Sequence, residues 1–366
     1  MKVNTISLNS VRLNTIALNH IGEIRSGGGA SKPSPIPQWI REHVVFYYDV
    51  KKQGATNETL KESAYLQDLS GKGRRMKLNN FLFAEMSGVG GYNDNFLKWN
   101  SPSSYGNVEK VSSSEVVIKS LLGVQKGVLY IDLSIKAVNI RCHITGITKE
   151  IEGKFVFQYN KQGNKHIILK DGDFEFNSES LSLGSENGWV GFTTLEVIDN
   201  CNITITQIPE YPGALVTDGV DDYGLVENLS SGVKMLFMTV NPMMLDAALY
   251  DQRYTSGWHF FAVITESNKV AYNVYNTRGK TYINGVLNES QTSNELQNQK
   301  QIITIVNSEV NETNSLPANF FRIRGGGLRM KCAFYNSIAF DSIPTEADGF
   351  TEQELIDYVL TNIIGQ

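Results

Sequence analysis

The sequence predicts an all-β protein, and three observations carry that expectation. From Trp39 onward, short segments rich in β-branched and aromatic residues recur, with Gly, Asn, Asp and Ser between them at the spacing of a sandwich or barrel. The helical apolar stripe stands near the C-terminus, apart from this series. No run approaches the ~20 apolar residues of a membrane-spanning helix, so membrane insertion is not expected.

The first element is an arm over residues 1–25. Residues 3–22 fall into four groups of five: Val-Asn-Thr-Ile-Ser, Leu-Asn-Ser-Val-Arg, Leu-Asn-Thr-Ile-Ala and Leu-Asn-His-Ile-Gly. The apolar positions are Val3, Ile6, Leu8, Val11, Leu13, Ile16, Leu18 and Ile21, spaced by three and two in alternation. A helix wants three and four, and a flat strand wants two throughout. Short β segments joined by Asn-containing bends fit, because Asn bonds to nearby backbone and tolerates bend conformations. Four groups of five cannot build a free-standing core. Their apolar face is expected to be covered by identical arms, by another protein, or by the body of the chain. A disordered tail is the alternative, and the regular apolar content weighs against it. Residues 26–38, with Gly27-Gly28-Gly29 and Pro33, Pro35 and Pro37, read as a flexible joint and a stiff spacer. That joint disfavours cover by the body, so the arm is assigned to docking or homo-oligomerisation, with a trimer favoured.

The strands follow. Val44–Tyr48 is a buried-strand run. Val116–Leu122, Val128–Ile135, Asn139–Thr148, Lys154–Tyr159, His166–Lys170, Phe174–Phe176 and Cys201–Ile208 continue the series. Lys170-Asp171-Gly172-Asp173 reads as a hairpin turn, since Asp-Gly accepts positive φ. The last element opens on Thr351-Glu352-Gln353-Glu354, a capping box. Leu355, Ile356, Val359, Leu360 and Ile363 make one stripe, which predicts an amphipathic helix over 352–363 within a C-terminal segment 351–366.

Composition bounds the function. The 366 residues suffice for two or three domains, and 41% hydrophobic content allows real cores. A net charge of -5 gives no footprint for nucleic acid or an anionic membrane. The brief basic cluster Lys72, Arg74, Arg75, Lys77 reads as a solvated hairpin. Cys142, Cys201 and Cys332 lie far apart within apolar alternation, which suits buried free thiols rather than a disulfide framework. The five His are scattered, so no structural metal is expected from them, and no continuous apolar h-region marks a secretory signal. Synthesis in a reducing cytoplasm follows.

Four pieces of the chain resemble a concanavalin A-like (laminin-G-like) lectin domain, in that family's order. They are Phe46-Tyr47-Tyr48-Asp49 with Leu66-Gln67-Asp68-Leu69-Ser70-Gly71-Lys72-Gly73; Ala214 to Tyr223 around Asp218-Gly219-Val220-Asp221-Asp222; Gly257-Trp258-His259-Phe260-Phe261-Ala262-Val263 with Lys280 to Val286; and Met330–Ile343. The resemblance implies a jelly-roll sandwich over 39–99 and 210–350. About a hundred residues, 100–209, intervene with their own strand series, so a second β-sandwich is expected to be inserted in the first. The whole arrangement resembles virion and tail-fibre proteins of Bacteroidetes phages and prophages.

Catalytic signals are missing. Related sandwiches that cleave glycans need two carboxylates about 5–10 Å apart, and no E-x-D-x-x-E string occurs. Asp171, Asp173 and Glu175 alternate on one strand face, opposite Phe174 and Phe176, as a polar outer face or, if the site functions, as a calcium site or equally a hydrolytic one. Asp218, Asp221 and Asp222 read either as turn formers or as a calcium rim, calcium being the one cofactor considered. Trp258 reads as core. Tyr250, Asp251, Arg253 and Tyr254 mix aromatic, acid and base in a loop before Gly257, and Trp189 tops a turn of the insert; these are the ligand candidates. Together the signs point to a non-enzymatic virion protein that docks on other virion components by its arm and displays lectin-like domains toward a host-surface glycan. A bacterial surface adhesin is the alternative, and a glycan-degrading enzyme is disfavoured by the absent carboxylate pair.

Overall fold

The computed structural model describes residues 34–132, 138–160, 164–178, 188–229, 232–245, 247–252, 261–264, 270–272, 279–288, 296–308 and 316–365. The arm from Val3 to Ile21, the glycines of the joint, Arg253, Tyr254 and Trp258 lie outside the described residues. Along the chain come helix α1 (Ile36–His43), β1 (Val44–Asp49), helix α2 (Asn57–Ser63), β2 (Tyr65–Leu66), β3 (Met76–Asn79) and β4 (Gly88–Val89). Then follow β5 (Gly106–Lys110), β6 (Glu115–Leu121), β7 (Leu129–Asp132), β8 (Asn139–Thr145), β9 (Phe155–Asn160), β10 (Asn164–Ile168), β11 (Gly172–Asn177), β12 (Trp189–Thr194) and β13 (Ile203–Gln207). The chain continues through β14 (Leu215–Asp218), β15 (Tyr223–Leu229), β16 (Met235–Pro242), β17 (Ala247–Asp251), β18 (Phe261–Ile264) and β19 (Val270–Tyr272). It closes with β20 (Lys280–Ile283), β21 (Val286–Leu287), β22 (Gln301–Val306), β23 (Leu316–Phe320), β24 (Lys331–Phe340) and helix α3 (Glu352–Val359).

The fold is mostly β, as the residue pattern predicts, and it divides into two units. The first holds the chain up to Phe83, Ser87–Val89 and everything from Gly213; the second holds Ala84–Met86 and Gly90–Pro212. The second unit begins about ten residues before Asn100 because Phe96 and Trp99 fill its core.

In the first unit, one sheet runs β21-β20-β22-β16-β24-β14-β4, with β1 also on β24. The other runs β19-β18-β17-β23-β15-β3-β2. The two sheets share a core of Phe46, Tyr48, Leu78, Val226, Leu236, Leu249, Tyr250, Phe320 and Phe334. The far face of the first sheet carries a second cluster: Trp39 and Ile40 of α1, Leu355, Ile356 and Val359 of α3, and Tyr47, Phe237 and Phe340 of the sheet. Burial on both faces explains why β1 reads as the unbroken run Val-Val-Phe-Tyr-Tyr rather than an alternation.

Helix α1 corrects the expected spacer. Residues 36–38 belong to a helix, because proline is tolerated in a first turn, where its missing N–H has no intrahelical role. Helix α3 has the capping box expected of it. Thr351 Oγ1 accepts from Glu354 N–H at 3.2 Å, and the Glu354 carboxylate accepts from Thr351 N–H at 2.7 Å. One wider turn, Leu360–Ile364, extends it and buries Ile363 and Ile364. Thr351→Ala is expected to lower the stability of the first unit by about 1–2 kcal/mol, read from the urea midpoint at constant m-value.

In the second unit, a sheet β10-β9-β12-β7 and a sheet β11-β8-β13-β6-β5 share a core that includes Trp99, Ile118, Ile140, Phe155, Phe157 and Phe192. The Asp171-Gly172 turn does not join a hairpin. β10 pairs with β9 and β11 with β8, so the turn carries the chain from one sheet to the other. The core decides this: Leu169 is still bonded to Phe155 of one sheet, while Phe176 brings its ring to 4.7 Å from Phe157 from the opposite sheet. The acidic face of β11 is paired. Asp173 lies 2.6 Å from His143 Nδ1, Glu175 lies 3.7 Å from Arg141, and Asp171 accepts from Ile147 N–H at 2.8 Å. Cys142, Cys201 and Cys332 are buried free thiols, with burial pushing Cys142 and Cys332 up to about 12. Among the described residues, no helix is long and apolar enough to cross a membrane.

Candidate functional site

The β2–β3 hairpin carries the Asp68-to-Gly73 stretch in the link between its strands. Asp68 is buried and locks that link. Its Oδ1 accepts from Tyr47 N–H at 3.0 Å and from Ser70 N–H at 2.9 Å, and its Oδ2 accepts from Arg74 N–H at 2.9 Å. Gly71 and Gly73 both take positive φ, +79° and +74°, where a side chain would be strained. Leu69 is buried in the helix-side cluster. Arg74 turns inward: its Nη1 donates to the Val45 carbonyl at 2.8 Å, and its own carbonyl accepts from the Tyr48 hydroxyl.

The cations that remain face outward. Lys72, Arg75 and Lys77 are exposed, and the Arg75 guanidinium sits 3.9 Å from the Tyr65 ring centre, over its face. Cross-strand pairing puts Tyr65, Lys77 and Leu225 in one row of the outer sheet face, and Glu227 stands two residues further along β15. With Gly73 and Arg74 they line an open cleft of about 360 Å³. Among the described residues, Lys72, Arg75 and Lys77 have no carboxylate partner. The cleft offers an apolar floor, one acceptor and three cationic groups, one of them stacked on the Tyr65 ring.

The earlier ligand candidates fare differently. Tyr250 and Asp251 are not in a loop; they end β17, and both are 0% exposed. Tyr250 points into the sandwich, 5.1 Å from the Phe320 ring, and its hydroxyl donates to Gln252 Oε1 at 3.2 Å. Asp251 accepts from Arg324 N–H at 2.8 Å. The polar look of Tyr-Asp-Gln-Arg-Tyr hid the end of a strand, Ala247–Asp251, that is buried throughout. Trp189 opens β12 rather than topping a turn, half-buried against Tyr130 at 5.6 Å.

Asp218, Asp221 and Asp222 do converge, with carboxylate oxygens within 4.8 Å of one another. The bonds they make are those of a turn. Asp218 Oδ1 accepts from Val220 N–H at 2.7 Å and from Asp221 N–H at 3.3 Å, across Gly219 at φ +77°. Asp222, 1% exposed, takes the Ser87 hydroxyl on one oxygen and Asp218 N–H on the other, both at 3.0 Å. Burial pushes its carboxyl up to about 7, against the pull of those two donors.

No family model, curated protein or solved structure matches this chain. Tyr65, Leu225 and Glu227 escaped the sequence reading because they meet the basic cluster only through strand pairing. The cluster itself was visible, but spacing gave no sign that an aromatic ring lay beneath Arg75.

Proposed function

We propose that this chain is a non-enzymatic binding protein of a phage virion, a tail or capsid fibre-type component that attaches to carbohydrate on the host surface. In this reading the first unit is a jelly-roll of the concanavalin A-like kind, and the arm of residues 1–25 docks on other virion proteins or trimerises. The observation that carries the binding role is the open cleft over Tyr65, fixed on a sheet whose other face is core. Arg75 covers the Tyr65 ring, and the cleft presents that guanidinium with other charged and polar side chains over an apolar floor, a composition that suits a polar ligand such as a sugar.

A glycan array probed with the full chain tests attachment, and binding to at least one class of surface glycan is expected. Removing residues 1–25 tests the arm: the mass in solution is expected to fall to that of a monomer, and incorporation into virions to fail. Silence across the array, with assembly unaffected by the truncation, would remove the proposal.

A further inference from the structure

We propose that the cleft over Tyr65 takes an anionic sugar unit, the carboxylate or sulfate of an acidic polysaccharide, with Lys72, Arg75 and Lys77 as its contacts. The inference rests on the carbohydrate-binding reading and names the ligand class of that site. Three exposed cations crowd one hairpin and have no acidic partner among the described residues, so their mutual repulsion is relieved by an arriving anion. The hairpin does not have to be ordered first. Asp68 holds it through three backbone N–H groups, and Arg75 is already stacked on Tyr65. A stacked guanidinium loses less entropy on binding than a free one, and its fork suits the two oxygens of a carboxylate or sulfate.

The rest of the lining speaks for a sugar rather than a nucleic acid. Glu227 accepts from hydroxyls and would repel a run of phosphates, Leu225 gives an apolar floor, and the chain as a whole is acidic at -5. A polysaccharide with one charge per sugar places an anion in the cleft and hydroxyls on Glu227.

The test measures binding of the full chain to polygalacturonate, dextran sulfate, neutral dextran and a single-stranded oligonucleotide by affinity electrophoresis and calorimetry. Polygalacturonate or dextran sulfate is expected to bind, and which of them does identifies carboxylate or sulfate. Neutral dextran is expected not to bind. The double variant Arg75→Ala/Lys77→Ala is expected to weaken binding at least about tenfold, the loss of one to two charge-assisted contacts. Lys61→Ala, which removes an exposed cation on α2, is expected to change nothing. Should the double variant melt early, Lys72→Gln, which lies in no strand, reads the same contribution and is expected to weaken binding severalfold. Native-like binding by these variants, or tighter binding of the oligonucleotide than of either polyanion, overturns the inference. Binding of neutral glycans on the array without preference for acidic ones overturns it while leaving the attachment role intact. Absence of all carbohydrate binding ends both.

Discussion

Phe320→Ala is expected to cost the first unit about 3–5 kcal/mol, the range for an aromatic side chain removed from a close-packed core. Phe320 lies at the centre of that core. Its ring stands 5.6 Å from Phe46, 5.9 Å from Tyr48, 5.1 Å from Tyr250 and 6.2 Å from Phe334, mostly edge to face. These partners come from both sheets, so the cavity would open between the layers, where neither sheet can close it without shifting the other. The measurement is urea unfolding, with the transition of the first unit separated from that of the second by a truncation reporter in each core. Tyr250→Phe is the companion variant. It keeps the ring and loses the hydroxyl bond to Gln252, so it is expected to cost about 1 kcal/mol. A near-neutral Phe320→Ala would mean that the two sheets are not packed as described.

The contribution of Asp222 to the stability of the first unit is expected to fall as pH rises from about 4 to about 8, by at most roughly 4 kcal/mol. Its carboxyl is pushed up to about 7, whereas an unfolded Asp titrates near ~3.9. Between those values the folded chain binds the extra proton, so the contribution is full below the unfolded value and is lost as pH passes the folded one. About three pH units at ~1.4 kcal/mol each give the magnitude. Asp222→Asn is the decisive variant. An amide nitrogen donates to Ser87 Oγ while the amide oxygen keeps the bond from Asp218 N–H, so both contacts survive without a charge. The variant is expected to flatten this part of the pH profile and to be more stable than the native chain at pH 8. Chemical denaturation across pH 4–8 reads both. A calcium site at Asp218, Asp221 and Asp222 gives the opposite signs: millimolar calcium would raise the melting temperature at pH 8, and Asp222→Asn would abolish the rise. No calcium effect is expected, since both oxygens of Asp222 already face protein donors.

These variants also separate what was readable from the chain alone. Local rules act through neighbours in sequence, and here they hold. The runs at Val44–Tyr48, Val116–Leu122 and Asn139–Thr148 are strands because their β-branched and aromatic side chains fit a pleated surface. Thr351 and Glu354 cap α3 because both partners lie within one turn. The turn bonds of Asp218 are local in the same way.

Elsewhere a distant partner overrules the local preference. Asp171-Gly172 has hairpin chemistry, yet the strands on either side choose partners in different sheets because Phe157 and Phe176 must share a core. Pro35 and Pro37 suit an extended spacer, yet Trp39 and Ile40 are drawn into a helix by the sheet face they cover. Tyr250 and Asp251 looked like a polar loop until β17 found β18 and β23. The cleft is the extreme case, since Tyr65 and Leu225 stand 160 positions apart and meet only because β3 pairs with both their strands. Side-chain period and short-range hydrogen bonding made the all-β class, several of the strands, the helix cap and the basic hairpin legible in the chain alone. Tertiary structure alone decided which faces are buried, which strands are neighbours and what lines the cleft, because long-range pairing depends on the shape of a core assembled from the whole chain.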